Sequence, residues 1–272
     1  MKNKQQWFLV MQSTERLKAV LLITSALVLL ILVLSQSPIT QPADFYQYAD
    51  TRTRFGVPNF VNVISNLPFA IIGLLGIRLL SHTPKRQVVQ VIEPNVAPAY
   101  FLFFQGLLAT AIGSAYYHLT PTPFSLMLDR IPICLAFLSL YCIMLSEYIH
   151  PRLGQRLLFP LNLYGLLAVI YWYVQARTGD HSADLSAYVL VQLLPVLHVP
   201  MILFLYEEKR PGGGYYLAAL ISYGLAKLAE YLDSELFSLT GEWISGHSLK
   251  HLLAALSGWW IYLLLKKRLP QQ

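Results

Sequence analysis

HSLKHLLAALSGWWIYLLL (247–265) carries two signals in one helix-length run. From Leu252 onward it is almost wholly apolar, and its length approaches the roughly 20 residues that cross a bilayer. Its first turns hold His247, Lys250 and His251, and Lys266, Lys267 and Arg268 follow its far end. Basic residues flanking a span mark the cytoplasmic side, so the histidine end belongs to the opposite face. His247 and His251 stand four apart and share one face of a helix, where both imidazoles can reach a single ion. An HxxxH pair alone fits helix-packing hydrogen bonds as well as metal binding.

The rest of the chain repeats this design. Of 272 residues, 56% are hydrophobic and 12% charged, about half the charged share of a soluble domain. Eight spans are expected, near 18–36, 60–80, 97–118, 126–147, 155–175, 185–206, 214–232 and 247–265. The first, AVLLITSALVLLILVLS (19–35), follows Arg16 and Lys18. It is longer than a signal-peptide core and lacks a small-residue cleavage pattern, so it reads as a retained helix. Pro160, Pro195 and Pro200 fall inside spans, where kinks are tolerated. Alternate connections hold 14 of the 20 Lys and Arg residues, against 4 (Arg52, Arg54, Arg130, Arg177) on the other side. Both termini are therefore expected in the cytoplasm. The net charge of +6 is a topology signal, and no separate basic domain offers itself to nucleic acid. Cys134 and Cys142 lie in one span and read as packing residues.

Ionisable residues inside membranes are costly and mark function by default. Ser114 and His118 end span three; Asp129 and Arg130 begin span four; Lys227, Glu230 and Asp233 end span seven; His247, Lys250 and His251 begin span eight. The alternation brings all of them to one depth on the non-cytoplasmic side. Three histidines supply nitrogen ligands of the kind zinc prefers and leave a fourth position open for water. Asp129 could orient that water or take its proton, and Ser114 could hydrogen-bond a carbonyl or oxyanion. Taken singly, Ser114 also reads as a small helix-interface residue, Asp129–Arg130 as an interfacial charge pair, and Lys227 with Glu230 or Asp233 as a structural ion pair. His82, His150 and His181 read as solvated loop residues. His198, beside Pro200, reads as a partner for the carbonyls that the proline frees.

GSAYYHL (113–119), LMLDRIP (126–132), SGHSLKHLLA (245–254) and NFVNVISNLPF (59–69) together resemble the alkaline ceramidase family. That family sits in a wider group of seven-helix membrane hydrolases that also includes adiponectin-receptor-type proteins. The resemblance covers about residues 45–265. It implies an all-α, polytopic fold with a seven-helix hydrolase core over residues 41–272, preceded by an extra transmembrane helix within residues 1–40. It also implies zinc on His118, His247 and His251, with Asp129 and Ser114 as catalytic residues. The activity implied is hydrolysis of the linear amide of ceramide or another N-acyl membrane lipid, giving a sphingoid base or related amine and a fatty acid. The family's acidic calcium cluster has only Asp44, Asp50 and Asn59 as counterparts here, which weakens the case for calcium. Arg130 stands where an acidic residue is common and is expected to act as a positive neighbour to Asp129. TRTRFGVPNF (51–60) is closer to the bacterial branch, which implies a bacterial cytoplasmic membrane with the site on its outer side. Two rivals remain at this stage: a lipid-sensing receptor with structural zinc, and a proton-relaying transporter. A transporter usually places its site near the midplane, whereas this cluster lies at one side.

Overall fold

The computed structural model describes residues 2–42, 45–84, 88, 92, 96–179 and 182–269, with side chains from residue 13 onward. The described residues are helical, without a strand. In chain order the helices are α1 (Lys2–Ser35), α2 (Phe60–Ile64), α3 (Leu67–His82), α4 (Ala97–Leu119), α5 (Pro123–Met144), α6 (Pro151–Ala176), α7 (Ser186–Leu205), α8 (Gly213–Tyr231), α9 (Asp233–Leu239) and α10 (Gly246–Arg268). A π-helical turn, Leu145–Ile149, continues α5.

Among the described residues, seven segments are long and apolar enough to cross a membrane: α1 from Ser13, α2 with α3, α4, α5 with its π turn, α6, α7 and α10. The eighth expected span forms as α8, but it falls outside that apolar set. Lys227 and Glu230 near its end, with several tyrosines along it, dilute its hydropathy. It packs closely along α10 through a face of small residues and one tyrosine, Tyr216, Ala219, Ser222, Ala226 and Ala229. The chain is a multi-pass integral membrane protein. Its lateral faces fit this: Ile31, Ile112, Leu167, Ile221 and Leu228 are all exposed, and such a broad apolar surface needs lipid to cover it.

Local signals set the helix boundaries. Pro123 sits in the first turn of α5, where a missing N–H costs nothing. Thr122 caps that helix, exchanging hydrogen bonds with Ser125 in a capping box. Ser245 accepts from Ser248 N at 3.1 Å and starts α10 just before the two histidines. The helices run through Pro132, Pro160, Pro195 and Pro200. Phe104, Ile143, Met144, Ile202, Ile261 and Leu264 centre one buried cluster. Tyr117, Leu126, Trp172 and Val191 centre a second, smaller one.

His198 departs from expectation. It does not serve carbonyls freed by Pro200. Its Nδ1 lies 2.5 Å from the Tyr141 hydroxyl and its Nε2 3.1 Å from Ser25 Oγ, so it ties α1 to the bundle through α7, the helix on which α1 chiefly packs. His150 caps α6 by accepting from Arg152 N at 3.2 Å. His82 Nδ1 lies 3.0 Å from Arg78 O, and His181 lies outside the described residues.

At the end opposite the histidines, Glu147 and Arg268 form a buried pair at 2.6 Å. Glu147 also accepts from the Tyr100 hydroxyl at 2.7 Å and the Tyr216 hydroxyl at 2.8 Å. The π turn adds a residue to the helical turn and so re-aims Glu147 inward.

Candidate active site

His118, His247 and His251 converge from α4 and α10. His118 Nε2 lies 3.3 Å from His247 Nε2 and 3.4 Å from His251 Nε2. One ligand nitrogen from each ring falls within 4.8 Å of the others, an arrangement that could hold a metal ion. All three rings are buried, which shields them from competing solvent.

Two close backbone approaches make this convergence possible. A Cβ on Gly113 would lie 2.3 Å from Leu128 O, so the missing side chain lets α4 and α5 touch beside Ser114 and Asp129. A Cβ on Gly246 would lie 2.1 Å from Ala229 O, so α10 starts against the end of α8. There Asp233 accepts from His247 N at 2.6 Å and from Ala49 N at 2.9 Å. Asp233 thus positions the start of α10 and does not pair with Lys227. Lys227 and Lys250 both pair with Glu230, the latter at 2.9 Å. Lys250 Nζ also approaches His247 Nε2, at 3.1 Å.

The break between α2 and α3 supplies partners that reading the sequence missed. Ser65 Oγ lies 2.7 Å from His251 Nδ1 and donates its one proton to Asn62 O at 3.0 Å. The ring must then donate from Nδ1, which leaves the Nε2 lone pair facing the other histidines. Asn62 is fully buried. Its Oδ1 accepts from Ser248 Oγ at 2.6 Å, and its Nδ2 donates to Asp50 O at 3.1 Å. Asn62, Ser65 and Asn66 share one face of an otherwise apolar stretch, and that polar stripe is a signal the sequence does contain. Tyr48 had no such signal. Its ring packs 4.9 Å from His118 and 4.7 Å from His247, closing the site from the segment before α2. Burial raises its hydroxyl well above the usual tyrosine range, so it is a neutral phenol.

Ser114 is buried on α4, and Asp129 Oδ1 on α5 is buried without a hydrogen-bond partner among the described residues. Both line a cavity of about 250 Å³ shared with His247 and His251. It continues between apolar side chains, including Phe103, Leu140 and Val199, as far as Tyr216. Arg130 turns elsewhere: its guanidinium stacks 4.1 Å from the Trp172 ring and donates to Gln41 Oε1 at 2.8 Å. Neighbours in a helical sequence point about 100° apart, so adjacency to Asp129 did not make a pair.

Of the three residues considered for calcium, Asp50 is engaged by Arg52, with Nε and Nη2 each at 2.7 Å. Asn59 donates to His118 O at 2.9 Å, and Asp44 lies outside the described residues. Burial raises the Asp50 carboxyl, but the hydrogen bonds and charge of Arg52 outweigh it and hold the group below its ordinary range.

Residues 53–228 match the Ceramidase family. The chain belongs to the ceramidase family. Membership makes it a hydrolase acting on amide bonds. The matched ceramidase stretch contains Ser114, His118 and Asp129 and ends before His247 and His251, which the fold alone brings to the others. No curated protein matches the chain.

Proposed function

We propose that this ceramidase-family protein is a zinc-dependent intramembrane amide hydrolase that cleaves ceramide-type N-acyl lipids to a sphingoid base, or a related amine, and a fatty acid. The observation that carries this reading is three buried histidine nitrogens beside a serine and an aspartate at one end of a long apolar cavity. Tetrahedral zinc about 2.0–2.1 Å from each nitrogen would set those nitrogens roughly 3.3–3.4 Å apart. The Nε2 separations of 3.3 and 3.4 Å from His118 fit that spacing. His118, His247 and His251 would hold the ion, with Ser65 fixing the tautomer of His251.

Zinc, when bound, would lower the pKa of water to roughly 7 and polarise the amide carbonyl. Ser114 would hydrogen-bond the carbonyl oxygen as negative charge develops there. Asp129 would accept a proton from the attacking water and return it to the leaving nitrogen as the C–N bond breaks. The rise per residue of a helix puts Tyr216 about 21 Å from Glu230 along α8. That depth suits an acyl chain lying between α4, α5, α8 and α10, with its amide at the histidines. Water then enters from the adjacent aqueous face, which the positive-inside pattern makes the outer one, with both termini cytoplasmic. We assign α1, within residues 1–40, as an addition to a seven-helix core in residues 41–272. It exposes most of its length and precedes the matched region.

The test is purified protein, its zinc stoichiometry and a panel of N-acyl lipids. His251→Ala should lose both zinc and turnover; full activity in that variant sinks the proposal. Zinc bound without any product, and with no exchangeable water position, would instead support a lipid-sensing receptor.

A further inference from the structure

Arg130 has no part in the hydrolytic roles above, yet it is only 5% exposed. It lines the same cavity as Asp129, His247 and His251. Rings of Trp172, Tyr188 and Phe45 surround its guanidinium at 4.1, 5.0 and 5.5 Å. Nη2 donates to Gln41 Oε1 at 2.8 Å. Nη1 is buried without a hydrogen-bond partner among the described residues. Nor does Arg130 form an ion pair with any of their carboxylates. Aromatic faces attract a cation but offer no lone pair to the donors at its edge. A buried cation with no ion pair among the described residues and one donor left without an acceptor is costly, and a ligand in the cavity that Arg130 lines would supply the missing acceptor.

The position says which part of a substrate that ligand is. Trp172 lies near the end of α6, Tyr188 near the start of α7, and Phe45 in the segment before α2. All three sit at the histidine end of the bundle, whereas the long apolar branch runs away from it to Tyr216. With the acyl chain in that branch and the amide at the histidines, the amine half of the lipid is the part left at the level of Arg130. The other two cavity cations, Lys227 and Lys250, are already committed to Glu230.

We infer that Arg130 binds an oxyanion on the amine half of the substrate, a carboxylate or a phosphate ester, so that anionic N-acyl lipids are preferred over neutral ones. The planar guanidinium suits either group. This rests on the hydrolase reading above and narrows the substrate class of that same site from neutral ceramide to N-acyl lipids whose amine half carries the oxyanion.

The test compares N-oleoylglycine, an N-oleoyl phosphoethanolamine and neutral N-oleoylethanolamine as substrates of the full-length zinc-loaded protein. Binding of a ketomethylene analogue of each, by calorimetry in detergent, gives a readout apart from turnover. At least one anionic amide should exceed the neutral one in kcat/KM and in binding, and the better of the two identifies the oxyanion. In Arg130→Met that preference should fall about 10- to 100-fold, as expected for losing a charge-assisted hydrogen bond, with the change chiefly in KM. Arg130→Lys should recover part of it. Gln41→Ala, which removes the structural tether but keeps the cation, should retain it.

A wild-type protein that favours the neutral amide overturns the inference and leaves the hydrolase reading standing. So does an Arg130→Met protein that loses both classes equally, or a Gln41→Ala protein that behaves like it, because either result makes Arg130 a structural pin. Failure to cleave any amide, ceramide included, removes the hydrolase reading and the inference together.

Discussion

Replacing Gly113 with alanine tests how the site is assembled without touching any candidate ligand. The added Cβ would lie 2.3 Å from Leu128 O and 2.9 Å from the carbonyl carbon behind it. Real Cβ contacts essentially never fall below 3.0 Å, so α4 and α5 must separate by at least about 0.7 Å. The obstacle is backbone, so no side chain can swing aside to relieve it. Overpacking of this kind costs about 1–3 kcal/mol. The functional cost is larger, because the displaced face carries Ser114 and His118 on one helix and Asp129 on the other. A misplacement near 1 Å at a reacting centre costs on the order of 100-fold in rate. The control is Gly224→Ala in the interior of α8, where the new Cβ meets nothing within 4 Å; alanine there is worth up to about 1 kcal/mol through helix propensity alone. The assay is kcat/KM for one N-acyl amide, with far-UV circular dichroism and thermal unfolding in detergent alongside. Gly113→Ala should fold, melt a few degrees lower and lose roughly two orders of magnitude in kcat/KM, while Gly224→Ala keeps its activity. Wild-type activity in Gly113→Ala would refute the claim that close approach of α4 and α5 sets the site.

Ser65→Ala removes the group that fixes the His251 tautomer and should weaken zinc binding about 10- to 100-fold, measured by chelator competition; unchanged affinity would remove Ser65 from that role. Glu147→Ala leaves Arg268 buried without its carboxylate and should cost about 3–5 kcal/mol in thermal unfolding, with zinc content unaltered because the pair lies at the opposite end of the bundle. Leu140→Trp narrows the apolar branch and should depress turnover of long-chain amides while sparing short-chain ones; equal loss for both would argue against an acyl chain there. The Asp50 carboxyl is held below its ordinary range, so its contribution is complete above the unfolded-state value of about 4 and is lost as the pH falls through its lower folded value. Asp50→Asn should abolish that acid-side dependence, and a wild-type melting profile flat down to pH 3 would contradict it.

Much of this architecture was legible because the bilayer imposes strict rules. Runs near 20 residues long, punctuated by Lys and Arg on alternate sides, locate helices with little ambiguity. The alternation then forces His118, Asp129 and His247 to one depth, although more than a hundred residues separate the first from the last. What could not be read depends on rotation about helix axes and on backbone outside the regular spans. Arg130 follows Asp129 in sequence but points into the aromatic rings of Phe45, Trp172 and Tyr188. His198 faces Tyr141 and Ser25 because α7 is rotated that way, and Pro200 beside it carried no information on that. Tyr48 reaches the histidines from an irregular segment that hydropathy does not describe. Glu147 turns inward because α5 ends in a π turn, and no residue pattern announced one. Ser65 and Asn62 were visible as polar residues in an apolar stretch, and it is their contacts with His251 and Ser248 that give them meaning.

The dependence of amide cleavage on a metal held by His118, His247 and His251 is the most direct thing to measure. Fatty-acid release from an N-acyl lipid should be followed in purified protein as isolated, after chelator treatment and dialysis, and after zinc is restored. A histidine-held zinc predicts about one zinc per chain, loss of release on stripping and its return with zinc. Undiminished release from protein shown to be free of metal would contradict it.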